Sequence, residues 1–232
     1  AIATQLDYYY FQGTNEDSVI HYTNKVKEFA KATHQPKYYY FAWANRLITY
    51  YLKTSRTNIA LYEVQNMLKE AQEEDDKTGL SRCYNIMSQI YTIKRFDSMA
   101  FEWRLKEIEL TEKYKIENYN ISQTYAQIAN YYINQKKQKE ALAAVEKAIA
   151  TANSSTQQIS AKLEFVNYYS KFGDFQAAEK LLKECQAAFE QDKRLESIKK
   201  RLYNIECLYY QQTKQYPKAL EAAKMQEKEE RR

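Results

Sequence analysis

Three glycines and two prolines in 232 residues leave few tight turns. That scarcity argues against a hairpin-rich β fold and for long uninterrupted helices. It also leaves almost nothing to build a glycine-rich phosphate cradle, and no GxSxG elbow or HExxH helix motif occurs. Only two histidines are present, His21 and His34, and neither has a cysteine or an acidic motif beside it. The three cysteines, Cys83, Cys185 and Cys207, are odd in number and form no CxxC pair, so neither a disulfide framework nor a zinc site is indicated. No apolar run reaches the roughly 18 residues a membrane helix needs, and no secretory leader is recognisable. The net charge of +5 balances 35 basic against 30 acidic residues. The basic runs at 193–201 and 135–139 are interleaved with acids or lie apart, which argues against nucleic-acid binding. The acidic run at 70–76 lacks the alternation and central glycine of a calcium loop and reads as a solvated helix end. No cofactor, metal site or convergent catalytic set is expected, so the sequence points away from an enzyme.

What is abundant is tyrosine, 23 in all. The tyrosines carry a period. Tyr10, Tyr51, Tyr91, Tyr132, Tyr169 and Tyr210 are separated by 41, 40, 41, 37 and 41 residues. Nine positions after each stand Val19, Ala60, Ala100, Ala141, Ala178 and Ala219. Three positions before stand Asp7, Ile48, Ser88, Ala129, Val166 and Cys207, mostly small. A fixed period of this length marks a repeat array. Apolar spacing of three or four within each half-unit makes each unit two helices. Gly173 is expected as the left-handed end of one helix and Asp174 as the cap of the next, with Gly13 placed similarly in the first unit. The segments 75–79 and 153–156 are expected as turns between units.

This pattern resembles the tetratricopeptide repeat. The fourth unit carries it most clearly, through Tyr125, Ile128, Ala129, Tyr132, Ala141, Val145 and Ala148. The fifth adds Gly173, Asp174 and Phe175, and the sixth Tyr210, Tyr216, Ala219 and Ala223. The period of about 40 exceeds the family's 34, the unit-ending proline is missing, and Arg104 and Glu107 replace apolar or small residues in the third unit. The resemblance implies an all-α, right-handed superhelical solenoid of about six helical hairpins, in units of roughly 1–37, 38–78, 80–117, 118–154, 155–194 and 195–232 of a single domain. A column of six tyrosines is expected to fill the core, since one aromatic ring buries on the order of 150–250 Å². The second members of the doublets, Tyr50, Tyr131, Tyr168 and Tyr209, are expected at the rim. Tyr38, Tyr39 and Tyr40 fall outside the repeating face and are candidates to stack on a ligand. Cys185 and Cys207 occupy small-residue positions and should be buried, which leaves Cys83 as the candidate reactive thiol.

In such stacks the first helices line a concave groove. The frame places Asn45, Arg46, Thr49, Arg82, Asn85, Gln89, Gln123, Gln127, Asn130, Asn167, Arg201 and Asn204 there, with Glu164 among their neighbours. Amides present donors and acceptors to a peptide backbone, and the arginines can hold a carboxylate. The resemblance likewise implies a protein- or peptide-binding scaffold without catalysis. Asn130 and Asn167 match the asparagines of the family's carboxylate clamp, whereas its lysines do not line up. Long-period repeats rich in tyrosine and lysine look like the sensory regions of bacterial signalling proteins, ahead of a membrane helix and a histidine kinase or DNA-binding output domain. The first residue, Ala1, and the charged end at 224–232 fit an excised region, with a periplasmic placement favoured over a cytoplasmic one. A free-standing adaptor, which is compatible with an oligomer, and a nucleic-acid-binding helical scaffold are the alternatives.

Overall fold

The structure is a computed structural model that describes residues 2–12 and 15–231; Gly13, expected at the first hairpin turn, lies outside the described residues. The chain is all-α, with no strand among the described residues. It forms two compact units, residues 1–117 and 118–232, and the described residues make three helical hairpins in each.

In the first unit α1 (Ile2–Gln12) pairs with α2 (Glu16–Ala32), and α6 (Lys77–Ile93) with α7 (Asp97–Tyr114). Between them runs a composite helix of α3 (Pro36–Tyr40), a π-helical stretch (Phe41–Ile48) and α4 (Thr49–Lys53), which returns through α5 (Thr57–Glu73). In the second unit the pairs are α8 (Ile121–Asn134) with α9 (Gln138–Ala150), α10 (Ser155–Phe172) with α11 (Phe175–Gln191), and α12 (Lys199–Gln212) with α13 (Tyr216–Glu230). A short 3₁₀ turn, Lys193–Ile198, leads into α12. Within this unit the first helices α8, α10 and α12 lie side by side in that order.

The small residues of the repeat are where the two helices of a hairpin meet. Val19, Ala60, Ala100, Ala141 and Ala178 are wholly buried, and Ala219 is nearly so. A larger side chain there would push the helices apart.

The repeat tyrosine marks the end of each first helix. The carbonyls of Tyr51, Tyr91, Tyr132, Tyr169 and Tyr210 each accept the backbone N–H five residues on, at 2.8–2.9 Å. The residue between closes the turn in the left-handed conformation: Ser55, Arg95, Lys136, Gly173 and Lys214, with φ from 57° to 89°. This is the Schellman ending that glycine favours. Only Gly173 supplies it, capped onward by Asp174, whose side chain accepts from the Ala177 N–H at 3.1 Å. The shortage of glycine therefore does not remove the turns; the other four residues adopt them at a cost of about 1 kcal/mol each.

Tyrosine burial departs from expectation. Tyr10 and Tyr51 are buried, and so is Tyr50, which was expected at the rim; Tyr91 and Tyr132 are only half-buried, and Tyr169 and Tyr210 are half-exposed while their neighbours Tyr168 and Tyr209 are buried. Core and rim are exchanged in the last two hairpins. Tyr168 turns inward against Phe165 and Phe172, and Tyr169 stacks on Phe165 at 4.8 Å. One residue is about 100° of helix, so a doublet can present either ring to the core.

Gly79 also departs from its expected place in a turn. Asp76 caps α6 by accepting the Gly79 N–H at 2.7 Å, which puts Gly79 inside the first helical turn. Its role is steric: a Cβ there would lie 2.5 Å from Tyr40 Cζ. Two variants test these assignments by thermal unfolding. Lys136→Gly should gain up to about 1 kcal/mol from relief of its left-handed backbone, raising the midpoint by roughly 2–4 °C; no change would refute the strain. Gly79→Ala should cost about 1–3 kcal/mol by overpacking Tyr40, and a neutral result would show that the ring can move aside.

Candidate functional site on the first helices

In residues 118–232 the expected groove residues converge on a carboxylate. Glu164 of α10 is 2% exposed. Its Oε1 accepts from Asn130 Nδ2 of α8 at 3.1 Å and from Asn167 Nδ2 at 2.8 Å, and its Oε2 from Arg201 Nη2 of α12 at 2.8 Å. Three consecutive first helices are thus tied by one buried anion. A desolvated carboxylate persists only when paired and hydrogen-bonded, and here a guanidinium and two amides do both. The amides expected to face a ligand spend their donors inside the protein. Asn130 Oδ1 in turn accepts from the exposed Asn134 at 3.1 Å, while Gln123 and Asn204 are exposed and Gln127 is half-buried. The sequence placed Glu164 only among the neighbours of the groove. The one signal of its central part was a lone acid at the register five before the tyrosine, facing Arg201 and two asparagines.

In residues 1–117 the same face is arranged differently. Arg46 stands at the register of Glu164. Its Nε donates to Asp7 Oδ1 at 2.5 Å and its Nη1 to the Asn45 carbonyl at 3.0 Å, with the guanidinium 4.9 Å from the Tyr10 ring centre and 4.5 Å from that of Phe41. Arg82 Nη1 donates to Asn45 Oδ1 at 2.6 Å. Asn85 Nδ2 donates to both oxygens of Glu107 at 3.2 Å, and Gln89 Nε2 to Asn85 Oδ1 at 2.6 Å. Thr49 bonds its own helix instead, through Oγ1 to the Ala44 carbonyl at 2.9 Å. That bond spans five residues at the end of the π-helical stretch, where the widened turn brings the Ala44 carbonyl within reach. Asn45 and Gln89 are exposed. The third-unit anomalies are buried: Arg104 donates to Thr92 Oγ1 at 2.6 Å, and Glu107 receives Asn85.

Two of the three consecutive tyrosines are accounted for by packing. Tyr40 is wholly buried against Gly79, and Tyr39 is 9% exposed and donates to Glu70 Oε1 at 2.5 Å. Tyr38 alone is exposed. Lys27 Nζ sits 3.3 Å from the Trp43 ring centre and 5.0 Å from that of Tyr39, while Trp43 Nε1 donates to Glu63 at 2.8 Å. Burial lowers the Lys27 pKa below its usual value, partly offset by Glu70 and Glu63. A cleft of about 330 Å³ adjoins this cluster, lined by Lys31, His34, Pro36, Tyr39, Tyr40, Glu70 and Glu74 among others. The acidic run is engaged locally: Glu70 and Glu74 pair with Lys31 at 3.8 and 3.5 Å, and Asp76 caps α6. Among the described residues no group of three His, Cys, Asp or Glu is placed to hold a metal ion. The basic run at 193–201 is likewise tied to acids, through Arg194–Asp192, Lys199–Glu196 and Arg201–Glu164.

The thiols reverse the expectation. Cys83 is wholly buried, not reactive, and burial pushes its thiol up to about 12. Cys185 is buried as expected and pushed up to about 11 for the same reason. Cys207 is half-exposed and accepts from Gln211 Nε2 at 3.4 Å. A raised thiol pKa keeps the unreactive neutral form across ordinary pH, with the thiolate appearing only as pH climbs towards 11–12. A thiol reagent at pH 8 should therefore modify one cysteine of the folded chain, Cys207, and all three after denaturation. Fast labelling of Cys83 in the folded chain would contradict the packing of α6.

No helix among the described residues is long and apolar enough to cross a membrane. Comparison with protein-family models finds no match, and comparison with curated proteins finds none either. Among solved structures the chain is similar to the crystal structure of BtubC (BKLC) from P. vanneervenii, with a TM-score of 0.66 and 16% identity over 93% of this chain and 91% of that one. At that identity the likeness is one of fold.

Proposed function

We propose that this chain is a non-catalytic scaffold that binds a protein or peptide along its first helices, serving as the sensory or interaction region of a bacterial signalling regulator. One observation carries the binding part: within each unit neighbouring first helices are cross-linked by amides and guanidinium groups, and Asn45, Gln89 and Asn134 of those networks remain exposed, as do Gln123 and Asn204 on the same helices. Groups already fixed by neighbours lose little side-chain freedom when a ligand docks. Amides offer both a donor and an acceptor to the free N–H and C=O groups of an extended backbone. The signalling role rests on the resemblance of the long-period, tyrosine-rich repeat to sensory arrays.

Panning the immobilised chain against a random 16-residue peptide library tests the reading. Recovered peptides should share a motif. Gln89→Ala and Asn204→Ala should each weaken the binding of peptides that cross them roughly three- to tenfold, the worth of a hydrogen bond of ~0.5–1.5 kcal/mol. Glu146→Ala, exposed on the second helix α9, should leave binding unchanged. Peptides without a shared motif, or binding indifferent to both first-helix variants, would argue for a different surface.

A further inference from the structure

The two units seat an arginine at the same register and treat its charge differently. Arg82 stands nine residues before Tyr91, and Arg201 nine before Tyr210. Both are half-buried, and in both the Nε is buried without a partner, so the two stems are seated alike. The outer ends differ. Arg201 Nη2 meets the Glu164 carboxylate at 2.8 Å. Arg82 Nη1 meets only the neutral Asn45 Oδ1, and Arg82 forms no ion pair among the described residues. The reason lies in the repeat: where the second unit has Glu164, the first has Arg46, and the nearby acid Asp7 is already taken by Arg46. Arg46 and Arg82 thus gather on Asn45, one on its carbonyl and one on its side chain, and of the two only Arg46 is paired with a carboxylate, that of Asp7.

From this asymmetry we infer that Arg82, supported by Asn45 and Arg46, anchors a side-chain carboxylate, Asp or Glu, of an acidic peptide lying across the first helices of residues 1–117. The inference rests on the scaffold reading above and names the chemistry of its ligand. The ligand's carboxylate would do for Arg82 what Glu164 does for Arg201. A guanidinium partly withdrawn from water pays for its desolvation unless an anion faces it, and the planar fork suits a carboxylate better than a single lone pair does. Burial lowers the Arg82 pKa with no charge acting to raise it. Burial lowers the pKa of Arg104 in the same unit too, but there Glu107 and Asp97 act against it.

The test uses the full chain and two fluorescein-labelled peptides, hexaglutamate and hexaglutamine, both capped at each end so that only side chains differ. Fluorescence anisotropy at low salt should show saturable binding of hexaglutamate and at least tenfold weaker binding of hexaglutamine. Arg82→Gln should weaken hexaglutamate at least tenfold, and Arg82→Lys by less, since it keeps the charge and loses the fork. Lys69→Gln removes the same charge from an exposed site and should leave binding intact. The melting temperature is an independent arm. Arg82→Gln should leave it nearly unchanged, because it loses one exposed hydrogen bond to Asn45 and no ion pair, whereas Arg201→Gln should lower it by stranding buried Glu164.

Equal loss with Arg82→Gln and Lys69→Gln, or equal binding of the two peptides, would overturn the anchor. So would a large fall in melting temperature for Arg82→Gln, which would assign Arg82 a structural role. Displacement of hexaglutamate by inorganic phosphate at millimolar levels where acetate fails would also overturn it, in favour of a phosphate site. The two proposals fail separately. If library peptides bind through Gln89 or Asn204 but ignore Arg82→Gln, the scaffold stands and the anchor falls. If no library peptide is recovered and hexaglutamate does not bind, both fall.

Discussion

Each hairpin is held where two helices meet at a residue too small to keep them apart. The wholly buried alanines 60, 100, 141 and 178 let the second helix lie close against the first. A hairpin alone leaves its remaining apolar face in water, so hairpins must stack on one another. The 37–41 residue period, the placement of the tyrosines at the ends of the first helices and the alignment of those helices within each unit all follow from that packing.

Alignment of the first helices has an electrostatic consequence. Residues of equal register on neighbouring helices become neighbours in space, so a single acid in one repeat can serve several. Glu164 does so, taking one donor from α8, one from α10 and one from α12. Truncating it would strand Arg201, and losing Arg201 would strand Glu164; a buried pair is costly to break from either side. The first unit has Arg46 at that register, and its own buried carboxylate, Glu107, accepts from Asn85 rather than from Arg82. The same backbone frame therefore yields a closed polar network in one unit and an open cationic end in the other.

Much of the architecture was legible in the sequence because it depends on spacing. The tyrosine period and the alanines nine positions on located the hairpins and their contact points, and Gly173–Asp174 marked a turn that forms as expected. Side-chain direction was less legible. A doublet such as Tyr168–Tyr169 offers two rings about 100° apart, and a register count does not say which of them turns inward. The left-handed turns at Ser55, Arg95, Lys136 and Lys214 could not be read from composition, because those residue types carry no preference for the conformation. Gly79 was read as a turn former, whereas its function is to admit the Tyr40 ring. The residues named for the groove all lie on first helices, but the sequence could not tell that Asn130, Asn167 and Arg201 close on Glu164, a contact set by the distance between helices 34 to 37 residues apart in the chain.

A ligand bound as proposed meets the chain on its first helices. Photo-crosslinking measures this directly, using a peptide recovered by affinity selection and carrying a benzophenone at successive positions, with the attachment sites read by mass spectrometry. Crosslinks are expected on α6, α8, α10 or α12 or on the composite helix through Asn45. Crosslinks confined to the second helices, α5, α7, α9, α11 or α13, would contradict it.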